Sequence, residues 1–376
     1  MIKKIFCILF VFAMLFSASY AKEKELSCTS ALLMDFDTGA VLYKNNPHQK
    51  LAPASVTKVM TLLLTMEEIE NGNLKYDDIV IASSYAKSMG GSTIFLDEGE
   101  QMSVEDIIKG IAVSSGNDAC VAIAEHISGS VAAFVEKMNT RAKELGMTNT
   151  NFVNCNGLDD DNHYSTAYDI ALMSRELMKH KDIFKFTTIW MDSLRNGEFT
   201  LSNTNKLIRF YEGATGLKTG STSKAGFCIS ATAKRDGLHL IAVIMNAPTS
   251  KNRQADASAL LNYGFSTYSI KKIIGKNQSV ADIEVYKGLK EYLSIECLDE
   301  VKVLREKNND NEVEIKYNLP PNVKAPVKKG DIIGEAVCIE NDAIIGKSRI
   351  AAKENIDKVN CFYSYGKIVD MWLGNK

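Results

Sequence analysis

Hydrophobic positions along this chain change their period more than once. Residues 29–45 hold an apolar run from Ala31 to Phe36, then Asp37-Thr38-Gly39, then a second run from Ala40 to Tyr43. That pattern predicts a β-hairpin. Helical spacing takes over at about 55–70, with Pro53 just ahead of it. Ser103-Val-Glu-Asp106 resembles a capping box with Asp in place of Glu or Gln, and Ile107, Ile108, Ile111 and Ala112 follow as an apolar stripe. Ser114 to Asn117 interrupts the stripe. The next run, Ala119 to Ala124, is apolar almost all round, which predicts a buried helix. Further helices fit 130–145, ending at Gly146, and about 166–180.

From residue 213 the period shortens again. Phe227 to Ala233 and Leu238 to Met245 read as strands around an Arg235-Asp236-Gly237 turn, and 251–265 reads as a helix packing Leu260, Leu261 and Phe265. Strands in front, helices in the middle and strands behind predict an α/β (α+β) domain with a mostly antiparallel sheet and a helical subdomain. Past about 270 the helical spacing stops. Ala281 to Tyr286, Tyr292 to Arg305, Glu312 to Tyr317 and Asp331 to Ile339 are short β-type runs with polar connections, and they predict a small all-β sandwich domain. The expected organisation is a leader at 1–21, a larger domain at 22–270, the β domain at 271–358 and a tail at 359–376. In the tail, Phe362, Tyr365, Val369 and Trp372 sit at roughly helical spacing. It reads either as an amphipathic helix touching a membrane surface or as a packed tail.

The 376 residues, 45% hydrophobic and 24% charged, suit two packed domains. Formal charge is −2, and loss of Lys3 and Lys4 with the leader makes it −4. No basic block stands out, so no nucleic-acid partner is expected. Lys3 and Lys4 precede the apolar run Ile5 to Phe16, and Ser19-Tyr20-Ala21 supplies small residues at the two positions a signal peptidase reads. That run is short of the roughly 20 residues a spanning helix needs. A cleaved signal peptide, and so an exported protein, is expected. Seven cysteines then remain, with no CxxC pair, and the five histidines are scattered. Buried free thiols are expected, with no metal and no cofactor.

Ser55-Val56-Thr57-Lys58 is an SxxK tetrad. At i and i+3 on a helix the hydroxyl and the amine share a face. A serine needs a base, and a lysine serves only when burial and neighbouring cations lower its pKa from about 10.4. The tetrad alone is cheap, because the same spacing begins at Ser19, Ser84, Ser221, Ser269 and Ser364. Ser55 differs by standing at a helix start after a hairpin. Ser115-Gly116-Asn117 lies at the break between two apolar helices, although Ser250-Lys251-Asn252 also fits SxN. Lys218-Thr219-Gly220 occurs once, just before the strand expected from Phe227, and offers a charge, a hydroxyl and a backbone that can be approached closely. His163 is read as a structural histidine of the 156–166 loop, and Asp159, Asp160 and Asp161 as a solvated acidic run rather than a Ca²⁺ site.

In the order SxxK, SxN, KTG, with gaps of 60 and 103 residues, these elements form the signature of penicillin-binding proteins and serine β-lactamases. The chain resembles the low-molecular-mass D-alanyl-D-alanine carboxypeptidases from about residue 29 to 358. Leu51 to Met60, Ser114 to Ala119, Asn156 to Leu158, His163 to Ala167 and Gly213 to Gly220 carry the resemblance. It implies a β-lactamase/D,D-peptidase-like catalytic domain acting on peptidoglycan stem peptides ending in D-Ala-D-Ala, and acylation by β-lactams. By the same resemblance Ser55 is the nucleophile, Lys58 the acylation base and Ser115 a proton relay. Asn117 holds the substrate amide and Lys58. Lys218 and Thr219 anchor the terminal carboxylate beside Gly220, and the N–H groups of Ser55 and Ser221 form the oxyanion hole. Arg253, 35 residues past Lys218, stands where relatives place a carboxylate-binding arginine. Relatives often carry His after KTG, where this chain has Ser221. A class A β-lactamase would need an acidic loop that the chain lacks. A D,D-endopeptidase and an inactive wall-binding scaffold are the other readings, and the intact motifs count against the scaffold.

Overall fold

The computed structural model describes residues 26–309 and 311–360, together with Tyr365 and Trp372. The expected signal peptide and most of the tail, with its expected membrane contact, lie outside the described residues. The chain divides into two compact units. The first takes residues up to Met34, then Val41–Thr232 and Ile241–Leu261, and the second takes Asp35–Ala40, Ala233–Leu240 and the chain from Asn262 onward.

A five-stranded sheet of order β2-β1-β5-β4-β3 is built from β1 (Ser30–Asp35), β2 (Val41–Asn45), β3 (Ala214–Thr222), β4 (Gly226–Arg235) and β5 (Leu238–Ala247). The expected hairpin is β1 and β2, antiparallel through Ala31↔Asn45 and Leu33↔Tyr43. Every residue of β1 is buried, which is why its sequence is a run rather than an alternation. The expected turn at Arg235-Asp236-Gly237 joins β4 to β5, with Asp236 at φ 48° and Gly237 at φ 84°.

Six longer helices belong to this part of the chain. In α1 (Lys58–Glu70) nine consecutive residues, Lys58 to Met66, are buried, so the helix is central. Ser103 caps α2 (Val104–Ser114) by accepting the Asp106 N–H at 3.1 Å, as the capping pattern predicts. The apolar run after the break is α3 (Asn117–Ser128), buried from Asn117 to Ala124. Ser130 and Thr166 cap α4 (Val131–Glu144) and α5 (Ala167–Leu177), and α6 spans Ser250–Thr267.

The second unit carries a six-stranded sheet. It contains β7 (Ser279–Tyr286), β8 (Tyr292–Cys297), β10 (Glu314–Asn318), β11 (Asn322–Lys324), β12 (Ile332–Glu340) and β13 (Ala343–Ala352), in the order β10-β12-β13-β8-β7-β11. A two-stranded sheet pairs β6 (Tyr268–Ile274) with β9 (Val301–Glu306). Ile274, Leu293, Ile295, Val301, Cys338 and Ile350 meet in one core between them, the two-layer arrangement expected of a sandwich. The expected boundary at 270/271 falls inside β6. The single run expected from Tyr292 to Arg305 is two strands in different sheets, because Leu298–Glu300 turns the chain and Asp299 is held by Arg349. Six cysteines among the described residues are buried free thiols.

Candidate active site

Ser55 lies in a one-turn 3₁₀ helix, Ala54–Thr57, that runs into α1. Residues i and i+3 eclipse in such a turn. The Lys58 Nζ accordingly sits 2.8 Å from the Ser55 Oγ. It also sits 2.6 Å from the Asn117 Oδ1 and 2.8 Å from the Asn156 carbonyl oxygen. Lys58 has no exposed surface, and burial pushes its pKa below the ordinary lysine value.

These three contacts decide what the amine can do. The Asn117 Nδ2 donates to the Gly90 carbonyl at 2.7 Å, which fixes the amide with its oxygen toward Lys58. A backbone carbonyl can only accept. A neutral Lys58 therefore spends both N–H bonds on Asn117 and Asn156, and its lone pair is left facing the Ser55 hydroxyl.

Ser115 ends α2 in the left-handed region, φ 66° and ψ 33°, and is 4% exposed. The chain reverses there and delivers Asn117 as the first residue of α3. Asp118 behind it accepts the N–H groups of Ile94 and Leu96 at about 3.0 Å, and the Asn117 N–H donates to the Ser92 carbonyl at 2.7 Å. The 90–96 segment is thus clamped around Asn117. Gly91 belongs to that clamp, since a Cβ on it would stand 2.9 Å from the Asn117 Nδ2.

Lys218, Thr219 and Gly220 lie ahead of β4, as expected, but they also belong to a strand of their own, β3, which the sequence did not predict. Ala-Thr-Gly-Leu-Lys-Thr-Gly lacks an apolar alternation, so the strand was not legible. A Cβ on Gly220 would come within 2.7 Å of the Ser55 nitrogen and 2.9 Å of the Pro53 oxygen. Only glycine lets β3 pass this close to the serine turn. The Lys218 Nζ donates to the Thr219 carbonyl at 2.9 Å, and the Thr219 hydroxyl bonds to Thr204 at 2.7 Å. Burial, then Lys58 and Arg253, push the Lys218 pKa well below the ordinary value. Ser221 is exposed at the next position of the strand.

Arg253 projects from α6 toward the same strand. Its Nη1 is 3.4 Å from the Gly220 carbonyl and its Nη2 3.2 Å from the Ser250 hydroxyl, while its Nε is buried with no hydrogen-bond partner among the described residues. The side chain is 6% exposed. Sequence reasoning missed the Asn156 carbonyl. Asn154 accepts the Gly157 N–H at 2.7 Å, and Gly157, at φ 88°, abuts the Ala54 carbonyl so closely that a Cβ would overlap it at 1.9 Å. Asn156 to Leu158 was among the stretches carrying the family resemblance, but nothing in it marked a backbone carbonyl as a partner of Lys58.

The two side candidates are structural. His163 accepts the Val153 N–H on Nδ1 at 3.1 Å, so its Nε2 carries the proton and donates to Thr57 at 2.8 Å. Burial lowers its pKa to about 4, which keeps it neutral. Asp159 accepts from Thr222, and Asp161 pairs with Lys224. Among the described residues no group of acidic, His and Cys side chains is placed to hold a metal.

Residues 17–249 match the family described as D-alanyl-D-alanine carboxypeptidase, and residues 268–358 match the penicillin-binding protein 5, C-terminal domain. D-alanyl-D-alanine carboxypeptidase DacF of Bacillus subtilis is 45% identical across 88% of this chain and 86% of its own length. The crystal structure of penicillin-binding protein 5 from Haemophilus influenzae is 32% identical with a TM-score of 0.70, covering 89% of this chain and 98% of that one. Penicillin-binding protein D2 from Listeria monocytogenes, in its ampicillin-bound form, is 31% identical with a TM-score of 0.57, covering 64% and 99%. The motif order read from the sequence, the meeting of its parts at Ser55 and these matches agree, and the chain belongs to the D-alanyl-D-alanine carboxypeptidase family.

Proposed function

We propose that this chain removes the terminal D-alanine from peptidoglycan stem pentapeptides through an acyl-enzyme on Ser55. The observation that carries the reading is the position of the Lys58 Nζ, 2.8 Å from the Ser55 Oγ and within hydrogen-bond distance of the Asn117 Oδ1 and the Asn156 carbonyl, both of which can only accept. Lys58 takes the Ser55 proton as the oxygen attacks the carbonyl of the penultimate D-alanine. The N–H groups of Ser55 and Ser221 receive the developing oxyanion, a role in which one donor is typically worth about 10²–10³ in rate. Ser115 relays the proton to the departing amine, and Asn117 keeps Lys58 and the substrate amide in place. Water then hydrolyses the acyl-enzyme.

The terminal carboxylate selects the substrate. Lys218, Thr219 and Arg253 converge beside Gly220, and an anion there offsets both the burial and the mutual repulsion that depress the Lys218 pKa. The Arg253 fork and its free Nε suit a carboxylate. β-Lactams place a strained amide on the same path and acylate Ser55, a reading that the ampicillin-bound relative supports. Residues 1–21 direct export, residues 22–270 act as the catalytic domain and 271–358 as its β-sandwich companion. The tail rests on the outer face of the cytoplasmic membrane.

Mass spectrometry of a stem pentapeptide and a cross-linked dimer after incubation tests the reaction. The expected products are the tetrapeptide and free D-alanine. An untouched pentapeptide contradicts the proposal, and cleavage of the dimer alone assigns the chain to endopeptidase chemistry.

A further inference from the structure

The outer face of the six-stranded sheet in the second unit carries a hollow of about 270 Å³ lined by Glu284, Val285, Tyr286, Glu291, Tyr292 and Asn322. The strand register builds it. Glu284 pairs with Tyr292 on β8 and with Asn322 on β11, so one row crosses three strands. Tyr286 lies two residues further along β7 and therefore on the same face. Val285, between them, turns inward and is buried.

Both tyrosines are large apolar groups left open to solvent, Tyr286 at 57% and Tyr292 at 55% exposure. The core of this unit uses neither of them. Rings of this kind offer flat apolar faces with a polar tip. Between and beside them stand two carboxylates and an amide, which accept hydrogen bonds from hydroxyl groups. Lys287, over the Tyr286 ring at 5.1 Å, and Lys324, the register partner of Tyr286, balance the two carboxylates, so the hollow suits a ligand of low net charge. A ligand that presents C–H faces to the rings and many hydroxyls to carboxylates, without a dense negative charge, is a saccharide.

We propose that this hollow binds the glycan strand of peptidoglycan, through Tyr286 and Tyr292 under the sugar faces and Glu284, Glu291 and Asn322 on the hydroxyl and N-acetyl groups. The proposal rests on the reading that the catalytic unit works on peptides borne by that glycan. A weak site of this kind raises the local concentration of stem peptides on polymeric substrate and leaves the chemistry at Ser55 untouched.

The test uses the full chain and insoluble, uncharged β-1,4-linked N-acetylglucosamine strands, which keep the sugar faces, hydroxyls and N-acetyl groups of that glycan and carry no free carboxylate. Each ring contributes roughly tenfold in affinity on the usual scale of aromatic contacts. The double variant Tyr286→Ala/Tyr292→Ala is expected to lose sedimentation with the strands, whereas Tyr286→Phe/Tyr292→Phe keeps most of it. All three proteins should release D-alanine from a soluble, sugar-free pentapeptide at the same rate, and unchanged amide hydrogen-exchange protection across residues 279–352 checks that the β unit of the variants keeps its fold. No binding by the unaltered protein, or equal binding by the alanine variant, overturns the glycan site. Failure of pentapeptide hydrolysis in the unaltered protein instead overturns the catalytic reading, so the two failures are distinct.

Discussion

Ser55→Ala abolishes both covalent labelling by benzylpenicillin and release of D-alanine from a pentapeptide. Loss of a serine nucleophile from such a constellation costs on the order of 10⁶-fold in turnover, so residual activity falls below detection in gel labelling and in a coupled D-alanine assay. The protein itself should remain folded. Ser55 is only partly buried, and Lys58 keeps its contacts to Asn117 and Asn156 when the hydroxyl is gone. A thermal transition close to that of the parent, together with absent labelling, is the expected pair of results. A labelled Ser55→Ala protein would place the nucleophile elsewhere.

Lys58→Arg gives the second large effect and separates two roles. If Lys58 only supplied positive charge, arginine would preserve much of the activity. As a base it cannot be replaced by arginine, whose guanidinium stays protonated. Acylation is therefore expected to fall by about 10²–10⁴-fold, the range for loss of a general base. The measurement is the second-order rate of penicillin labelling. Lys58→Met serves as a companion and should be equally slow. It also leaves the Asn117 and Asn156 oxygens without their donor, at about 1–3 kcal/mol for each unsatisfied group. Its melting point should drop while that of Ser55→Ala does not. An arginine variant that labels at near-parental rate would contradict the base assignment.

The parts of the site that were legible in the sequence are those written in side chains at helical spacing. Ser55 and Lys58 were readable because i and i+3 meet at a helix start. Ser115 and Asn117 were readable because polar residues broke an otherwise continuous apolar stripe. Lys218-Thr219-Gly220 was found as a motif but not as a strand. Its buried face is polar and its glycine answers to the Ser55 backbone, so neither alternation nor β-propensity marks it. The Asn156 carbonyl was invisible for a different reason. Any residue carries a backbone oxygen, and only the fold shows that Gly157 lets this one approach Ala54 and Lys58.

The fold divides in the same way. β1 and the buried helices α1 and α3 announce themselves as apolar runs. The strand β13, Ala-Ile-Ile-Gly-Lys-Ser-Arg-Ile-Ala-Ala, did not, because its first half is exposed or half-exposed and carries a glycine that must stay small against Val301. Tyr292 to Arg305 looked continuous because Leu298 and Val301 bracket its turn with apolar side chains.

Every step proposed above depends on an uncharged amine at Lys58 under working conditions. Burial lowers its pKa, and with a lowered pKa the amine loses its proton at a pH where an ordinary lysine keeps it. The most direct measurement is ¹⁵N NMR of lysine-labelled protein, with the Lys58 Nζ resonance assigned by its disappearance in Lys58→Arg. At a pH below the ordinary lysine range, where the other lysines still show ammonium shifts, the account predicts the chemical shift of a neutral amine at Lys58. An ammonium shift at that pH, moving only as the other lysines titrate, would contradict it.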